Sequence, residues 1–454
     1  MKVPTKYLSL YLFIYLISIS FISCVIEVPL YPLKVKRNPK YSNISTVMEK
    51  YNLPEDNIEL SFSEEGSIFM NGDILFIARI KLGSGRKEFR LLLDTGSSLL
   101  WVAKNGCTGD NSIENKFNPD ESTTSENTGQ YFEIQYGTGA CKGYYYGDNI
   151  EYIGNKQFKL YFGVVNHADF QADQCDGIIG LSKSYEDERL SFIHMLKEYD
   201  VTDSLAFSVK FEDVKMADNI AGVLYIGEHE DFSKDEAVSV PLTFYRNKIF
   251  WSATLYSFGL KTQTSETISN REINILFDTG SNNIILPVEY LIDIQDSLKL
   301  YNCSIIKSDS YYQLISNIYS SPPDFVFKIG PHNLTIPWNY GFHRRNSYYL
   351  YSFVLFQQTS TYIMGSPFFF VFHTLFDGKN DQLKFYPLKT STIDKGSTGL
   401  STFVIVLIVI AVIAFIVALA LITYYFVIKC KEKKNKDIPT ENLGVNYFEG
   451  LYKK

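Results

Sequence analysis

Leu91-Leu92-Leu93-Asp94-Thr95-Gly96-Ser97-Ser98-Leu99-Leu100-Trp101 decides how this chain is read, because it comes back. Far downstream stands Ile275-Leu276-Phe277-Asp278-Thr279-Gly280-Ser281-Asn282-Asn283-Ile284-Ile285-Leu286. Both copies carry Asp-Thr-Gly-Ser on the end of an apolar run, the pattern of a buried strand, and Thr-Gly turns the chain sharply at its tip. Two acids are thereby presented in the same way. A second echo, Ile178-Ile179-Gly180 and Ile363-Met364-Gly365, follows at nearly equal offsets, 178 − 94 = 84 and 363 − 278 = 85. The spacing predicts an internal duplication: two similar lobes, each contributing one carboxylate.

Composition agrees with a large β-rich fold. Among 454 residues, 33 Tyr and 34 Phe help bring the aromatic share to 15%, which favours sheets over disorder. The net charge of −7 argues against a nucleic-acid partner, and no basic block occurs before the C-terminal tail. Other hydrolytic chemistries lack their signatures: there is no His-Glu-x-x-His and no Gly-x-Ser-x-Gly. The 6 histidines are scattered singly, so His167, His194 and His373 read as surface or packing residues. No metal and no cofactor are expected. Gly137-Thr138-Gly139-Ala140-Cys141-Lys142 is not a dinucleotide loop, because it lacks a third spaced glycine and runs on into β-like sequence.

From about Asp73 to Pro387 the chain resembles the pepsin-like aspartic proteases of the pepsin and cathepsin D kind. Four ordered motifs carry the resemblance: the two Asp-Thr-Gly-Ser segments, Tyr136-Gly137-Thr138-Gly139, and Asp176-Gly177-Ile178-Ile179-Gly180-Leu181. It implies an all-β, bilobal fold. It also implies that Asp94 and Asp278 are catalytic and hold a water, with Thr95 and Thr279 cross-bracing the loops beneath. Ser97 and Ser281 would bond the outer carboxylate oxygens, and Gly96 and Gly280 complete the loops. Tyr136, Gly137 and Thr138 would form the tip of a flap whose arms run from about Tyr131 to Tyr146, and Trp101 would donate to Tyr136. One departure stands at Ser366, where the family usually has an acid after the apolar pair and glycine. The expected substrates are peptides or proteins with hydrophobic residues at the cleavage site, and the expected state is a monomer.

Residues 1–24, with Lys2 and Lys6 ahead of an apolar run, read as a signal peptide; the alternative is an uncleaved anchor. Residues 25–65 hold Val28-Pro29-Leu30 followed by spaced lysines, which resembles the family's prosegment, a strand laid into the sheet with a lysine over the acids. Such a cation is released when acid protonates its partners; a basic linker is the other reading. Two catalytic lobes are expected at 66–240 and 241–388. Within them, Gly83-Ser84-Gly85 reads as a turn between strands, Ser191 to Tyr199 as an amphipathic packing helix, and Ile249 to Trp251 as a buried strand.

A polar stalk, 389–401, precedes 27 uncharged apolar residues, 402–428, long enough to cross a bilayer. Lys429, Lys431, Lys433 and Lys434 then place the tail, 429–454, in the cytosol. The expectation is a single-pass type I protein of the secretory pathway, with its protease region lumenal or extracellular. Cys107, Cys141, Cys175 and Cys303 would face an oxidising compartment, and Cys107 with Cys141 is the expected bridge because both fall in the first lobe. Asn43, Asn302 and Asn333 lie in glycosylation sequons. A non-catalytic binding or adhesion ectodomain on the same fold is the competing functional reading.

Overall fold

The computed structural model describes residues 25–34, 74–109, 113–136, 139–151, 157–169, 175–183, 190–202, 204–211, 222–245, 248–262, 266–298, 303–307, 312–317, 323–341, 343–344, 348–357, 359, 361–388, 391–394, 422, 424 and 425. The expected signal peptide, Asn43, Asn302, most of the prosegment and the cytosolic tail lie outside them, as does all of the apolar span except Ile422, Tyr424 and Tyr425. Among the described residues no helix is long and apolar enough to cross a membrane. Residues 1–396 and 397–454 form separate units.

The first unit is built on two large sheets. The first contains β1 (Ile26–Lys34), β2 (Ile74–Leu82), β3 (Lys87–Asp94), β4 (Trp101–Gly109), β5 (Glu126–Tyr136), β6 (Gly139–Glu151), β7 (Gln157–Ala168), β8 (Gly177–Gly180), β9 (Ala206–Phe211), β10 (Gly222–Ile226) and β11 (Val238–Pro241). Two late strands, Phe372–Asp377 and Gln382–Pro387, also join it, the first of them pairing with β9 through Thr374↔Val209. The second sheet is drawn from residues 252–364 and closes with Thr392–Asp394.

The expected duplication is visible in the hydrogen bonding. β3 lies parallel to β8, with Leu93 opposite Ile179 and Asp94 opposite Gly180. In the second sheet Glu266–Phe277 lies parallel to Tyr362–Met364, with Phe277 opposite Met364. Each echo strand also meets the strand that leaves its Asp loop: Trp101↔Ile178 in one copy, Ile285↔Ile363 in the other. Even the loop contacts repeat, since Ser182 N–H donates to Ser97 O and Ser366 N–H to Ser281 O, each at 2.8 Å. The apolar runs are strands because they are covered on both faces: Leu91, Leu93, Ile275 and Phe277 are all fully buried.

β1 lies between β10 and β2, antiparallel to both, with Leu30 opposite Gly222 on one side and Ala78 on the other. Residues 83–86 turn β2 into β3, with Gly83 at φ 78. The amphipathic segment is a helix, Phe192–Glu198; Ser191 caps it by accepting His194 N–H, and it buries Phe192, Ile193, Met195 and Leu196. Ile249 to Trp251 is not one strand. Pairing stops at Ile249 and resumes at Ser252, while Trp251 is buried and its indole N–H donates to Leu181 O at 2.6 Å. That side-chain anchor takes the place that ladder pairing was expected to fill.

Candidate active site

The two Asp loops meet tip to tip. Thr95 N–H donates to Thr279 Oγ1 at 3.2 Å, and Thr279 N–H to Thr95 Oγ1 at 3.0 Å. Each hydroxyl then donates across to the opposite strand end, Thr95 to Phe277 O at 2.7 Å and Thr279 to Leu93 O at 2.9 Å. Both threonines are completely buried, so water cannot replace any of these four bonds. The expected cross-brace is present.

Above the brace the side chains of Asp94 and Asp278 are hydrogen-bonded to each other. Only glycine fits between them and the opposite loop. A Cβ on Gly96 would stand 2.8 Å from Asp278 Cγ, and one on Gly280 would stand 2.7 Å from Asp94 Oδ1. Those glycines also donate: Gly96 N–H bonds Asp94 Oδ1 at 2.9 Å and Gly280 N–H bonds Asp278 Oδ1 at 2.8 Å. Burial, then the charge of Asp94 and the bond between the two carboxyls, hold Asp278 well above the usual carboxylate range. The two carboxyls therefore titrate as a pair that holds one proton between them.

The outer oxygens are treated unequally. Ser97 Oγ donates to Asp94 Oδ2, as expected. The hydroxyl of Ser281 instead donates to Asn283 O at 3.2 Å and accepts Asn283 N–H at 3.4 Å. That is a local turn closed by a serine side chain, and it corrects the expectation of a bond from Ser281 to Asp278. Ser366, at the departing position, is buried and donates to Ser281 O at 3.0 Å, so it packs under this turn.

Trp101 Nε1–H donates to Tyr136 Oη at 2.9 Å, as the resemblance implied. Tyr136 is also hydrogen-bonded to Ser97, so a chain of polar contacts runs from the indole to Asp94. The Ser97 link was not foreseen; it joins residues on separate elements. Burial, followed by the proximity of Cys141 and Asp94, keeps the Tyr136 phenol protonated far above its ordinary range. β5 and β6 pair from Glu126↔Gly147 to Tyr136↔Gly139, giving the hairpin expected of a flap. Gly137 and Thr138, at its tip, lie outside the described residues.

Cys107 and Cys141 are buried in one core cluster with Cys175. They stand as thiols rather than the expected bridge, and Cys107 Sγ donates to Thr108 O at 3.6 Å. Burial, with Cys107 nearby, pushes the Cys141 thiol up to about 12. Asn333 is half-buried on the strand His332–Ile336.

The family profile described as "Eukaryotic aspartyl protease" matches residues 75–388, a range that includes both Asp loops, both echo strands and the hairpin. The chain belongs to this family. Among the relatives of this chain, gastricsin of Rattus norvegicus is 27% identical over 233 residues, which cover 50% of this chain and 58% of the relative. Vacuolar protease A of Arthroderma otae is 26% identical over 284 residues, 60% of this chain and 66% of the relative. Gastricsin of Macaca fuscata fuscata is 25% identical over 341 residues, 72% and 87% respectively. The chain thus spans less than two thirds of the first of these relatives, and the family rather than any single relative is what it shares with them.

Proposed function

We propose that this chain is an aspartic endopeptidase, anchored in a membrane by residues 402–428, made as a zymogen and active in acid. The observation that carries the reading is the pair of mutually hydrogen-bonded carboxyls, Asp94 and Asp278, on matched loops braced by Thr95 and Thr279. Peptide hydrolysis needs a base to take a proton from water and an acid to polarise the carbonyl, and one carboxylate cannot do both in a single step. In this reading Asp94 takes a proton from a water whose oxygen bonds to the carbonyl carbon, and Asp278 gives its proton to the carbonyl oxygen. Return of a proton to the amine nitrogen breaks the C–N bond. Tyr136, tied to Trp101, closes over the substrate, and hydrophobic side chains flanking the scissile bond are the class the family resemblance implies.

Activity then requires the pair to hold one proton. Raising the pH through the elevated range of Asp278 removes the acid and stops turnover. β1 supports the zymogen reading: it is a strand at the N-terminal end of the expected prosegment, hydrogen-bonded on both sides. The apolar 27-residue run and the lysines after it support the anchor and a lumenal or extracellular protease region.

A quenched-fluorescence peptide with bulky apolar residues at its centre tests the reading at mildly acidic pH, with and without a pepstatin-type inhibitor. Inhibitable cleavage that is lost in both Asp94→Asn and Asp278→Asn, with circular dichroism unchanged, is the expected result. A well-folded chain that binds the peptide and never cuts it would establish the binding-ectodomain reading instead.

A further inference from the structure

Far along the first sheet from the Asp loops, a second cluster of ionisable groups is buried among aromatic rings. His373, on the late strand Phe372–Asp377, is completely buried. Its Nδ1 lies 2.9 Å from Asp231 Oδ2 and its Nε2 lies 2.9 Å from Ser208 Oγ on β9. Asp231, in the short turn Glu230–Ser233 after β10, is buried too. His229 Nδ1 stands 3.4 Å from the same Asp231 oxygen. The ligand atoms of these three residues all lie within 4.8 Å of one another. Tyr225 and Phe232 wall the cluster, with ring centroids 4.4 Å from His229 and 4.6 Å from His373.

We propose that His229, Asp231 and His373 form a binding site for a divalent transition-metal ion of the zinc type. Zinc takes imidazole nitrogen and carboxylate oxygen at about 2.0–2.2 Å, so two ligands at a tetrahedral angle sit roughly 3.4 Å apart. The observed separations of 2.9 and 3.4 Å from Asp231 Oδ2 require movements of only tenths of an ångström on those two sides. Two nitrogens and one carboxylate oxygen leave a fourth position for water or an anion.

The surroundings fit. Ser208 holds the outer nitrogen of His373, the support that fixes the ring of a metal-bound histidine. Lys234 pairs with the other oxygen, Asp231 Oδ1, leaving Oδ2 for the ion. If His373 carries its proton on Nδ1 toward Asp231, binding moves it to Nε2; Ser208 Oγ then accepts instead of donating, and no proton is released. One bond opposes the ion: the Asp231 amide N–H now donates to His229 Nδ1 at 3.2 Å and must yield it. His229 keeps part of its side chain in solvent, 19%, which gives the ion an entry path. The ion would tie the turn after β10 to a strand 142 residues away.

The purified full chain, stripped with a chelator, is equilibrated with Zn²⁺ near neutral pH, desalted and assayed for bound metal and melting temperature. About one ion per chain and a raised melting temperature are expected. His229→Ala, at the partly exposed ligand, should lower the retained zinc at least tenfold while folding as before. His373→Gln should do the same if it folds, and Co²⁺ should give the absorption of a four-coordinate ion in the parent chain alone. Asp278→Asn should retain its zinc, separating this site from the acid pair. No retained zinc in the parent chain, or full retention in His229→Ala, overturns the proposal.

Discussion

Replacing Thr279 by valine keeps the shape of the side chain and deletes one hydroxyl from the brace. The deletion orphans two buried groups, the Thr95 amide and the Leu93 carbonyl, which Thr279 Oγ1 now serves at 3.2 and 2.9 Å. Leaving a buried donor or acceptor unsatisfied costs about 1–3 kcal/mol each, and the added buried methyl offsets part of that, so a net loss of roughly 2–4 kcal/mol follows. For a body of this size the melting temperature should fall by on the order of 3–6 °C. Turnover should suffer as well, because loops that slip by about 1 Å can cost on the order of 100-fold in rate. KM should move little, since Thr279 is sealed beneath the carboxyls. Peptide cleavage and differential scanning calorimetry on the same preparations give both numbers. Thr279→Ser should restore most of each, and Thr95→Val combined with Thr279→Val should cost less than the sum of the two singles, because the first deletion already loosens what the second would remove. Unchanged stability and rate in Thr279→Val would refute the brace; a lost rate with unchanged stability would assign the hydroxyl another task.

Ser97→Ala removes the hydroxyl that donates to Asp94 and meets Tyr136, and a bond to a charged group is worth about 1.5–3 kcal/mol, so kcat should drop roughly 10- to 100-fold while Ser281→Ala changes it far less. Glu151 is held down to about 2 by Arg86 and then Lys81, so its stabilising effect is complete above its ordinary value of 4.5 and disappears as the pH falls from there toward 2. The melting-temperature gap between the parent chain and Glu151→Gln should therefore be widest near neutrality and close on acidification. Non-reducing peptide mapping should recover Cys107 and Cys141 as separate alkylated thiols; a Cys107–Cys141 linked peptide would overturn that assignment. N-terminal sequencing of the mature protein from cells should begin beyond residue 65, and a mature chain starting at residue 25 would end the zymogen reading.

The acid pair, its brace and the echo strands were legible because each is written twice in short, contiguous motifs with matching offsets. Tyr136 and Trp101 were legible through the resemblance. Ser281 was not: its sequence context matches that of Ser97, and only the neighbouring Asn283 decides where the hydroxyl turns. His373, read only as a surface or packing residue, lies in the interior, and its partners Ser208 and Asp231 are 165 and 142 positions away, a meeting that no periodicity reveals. Nor does an apolar alternating run declare which sheet it will join, so Phe372–Asp377 and Gln382–Pro387 gave no sign of pairing with β9 and β11.

That return of the last strands orders events on the ribosome. β9 and β11 emerge with one flank waiting for partners encoded about 150 residues later. At roughly 5–20 residues per second the wait lasts on the order of ten seconds or more. Throughout it the first half carries open strand edges that invite mispairing. Nascent chains arrested before residue 372 should therefore bind chaperones and succumb to proteases, and the transition to resistance should come abruptly once residue 387 has cleared the exit tunnel.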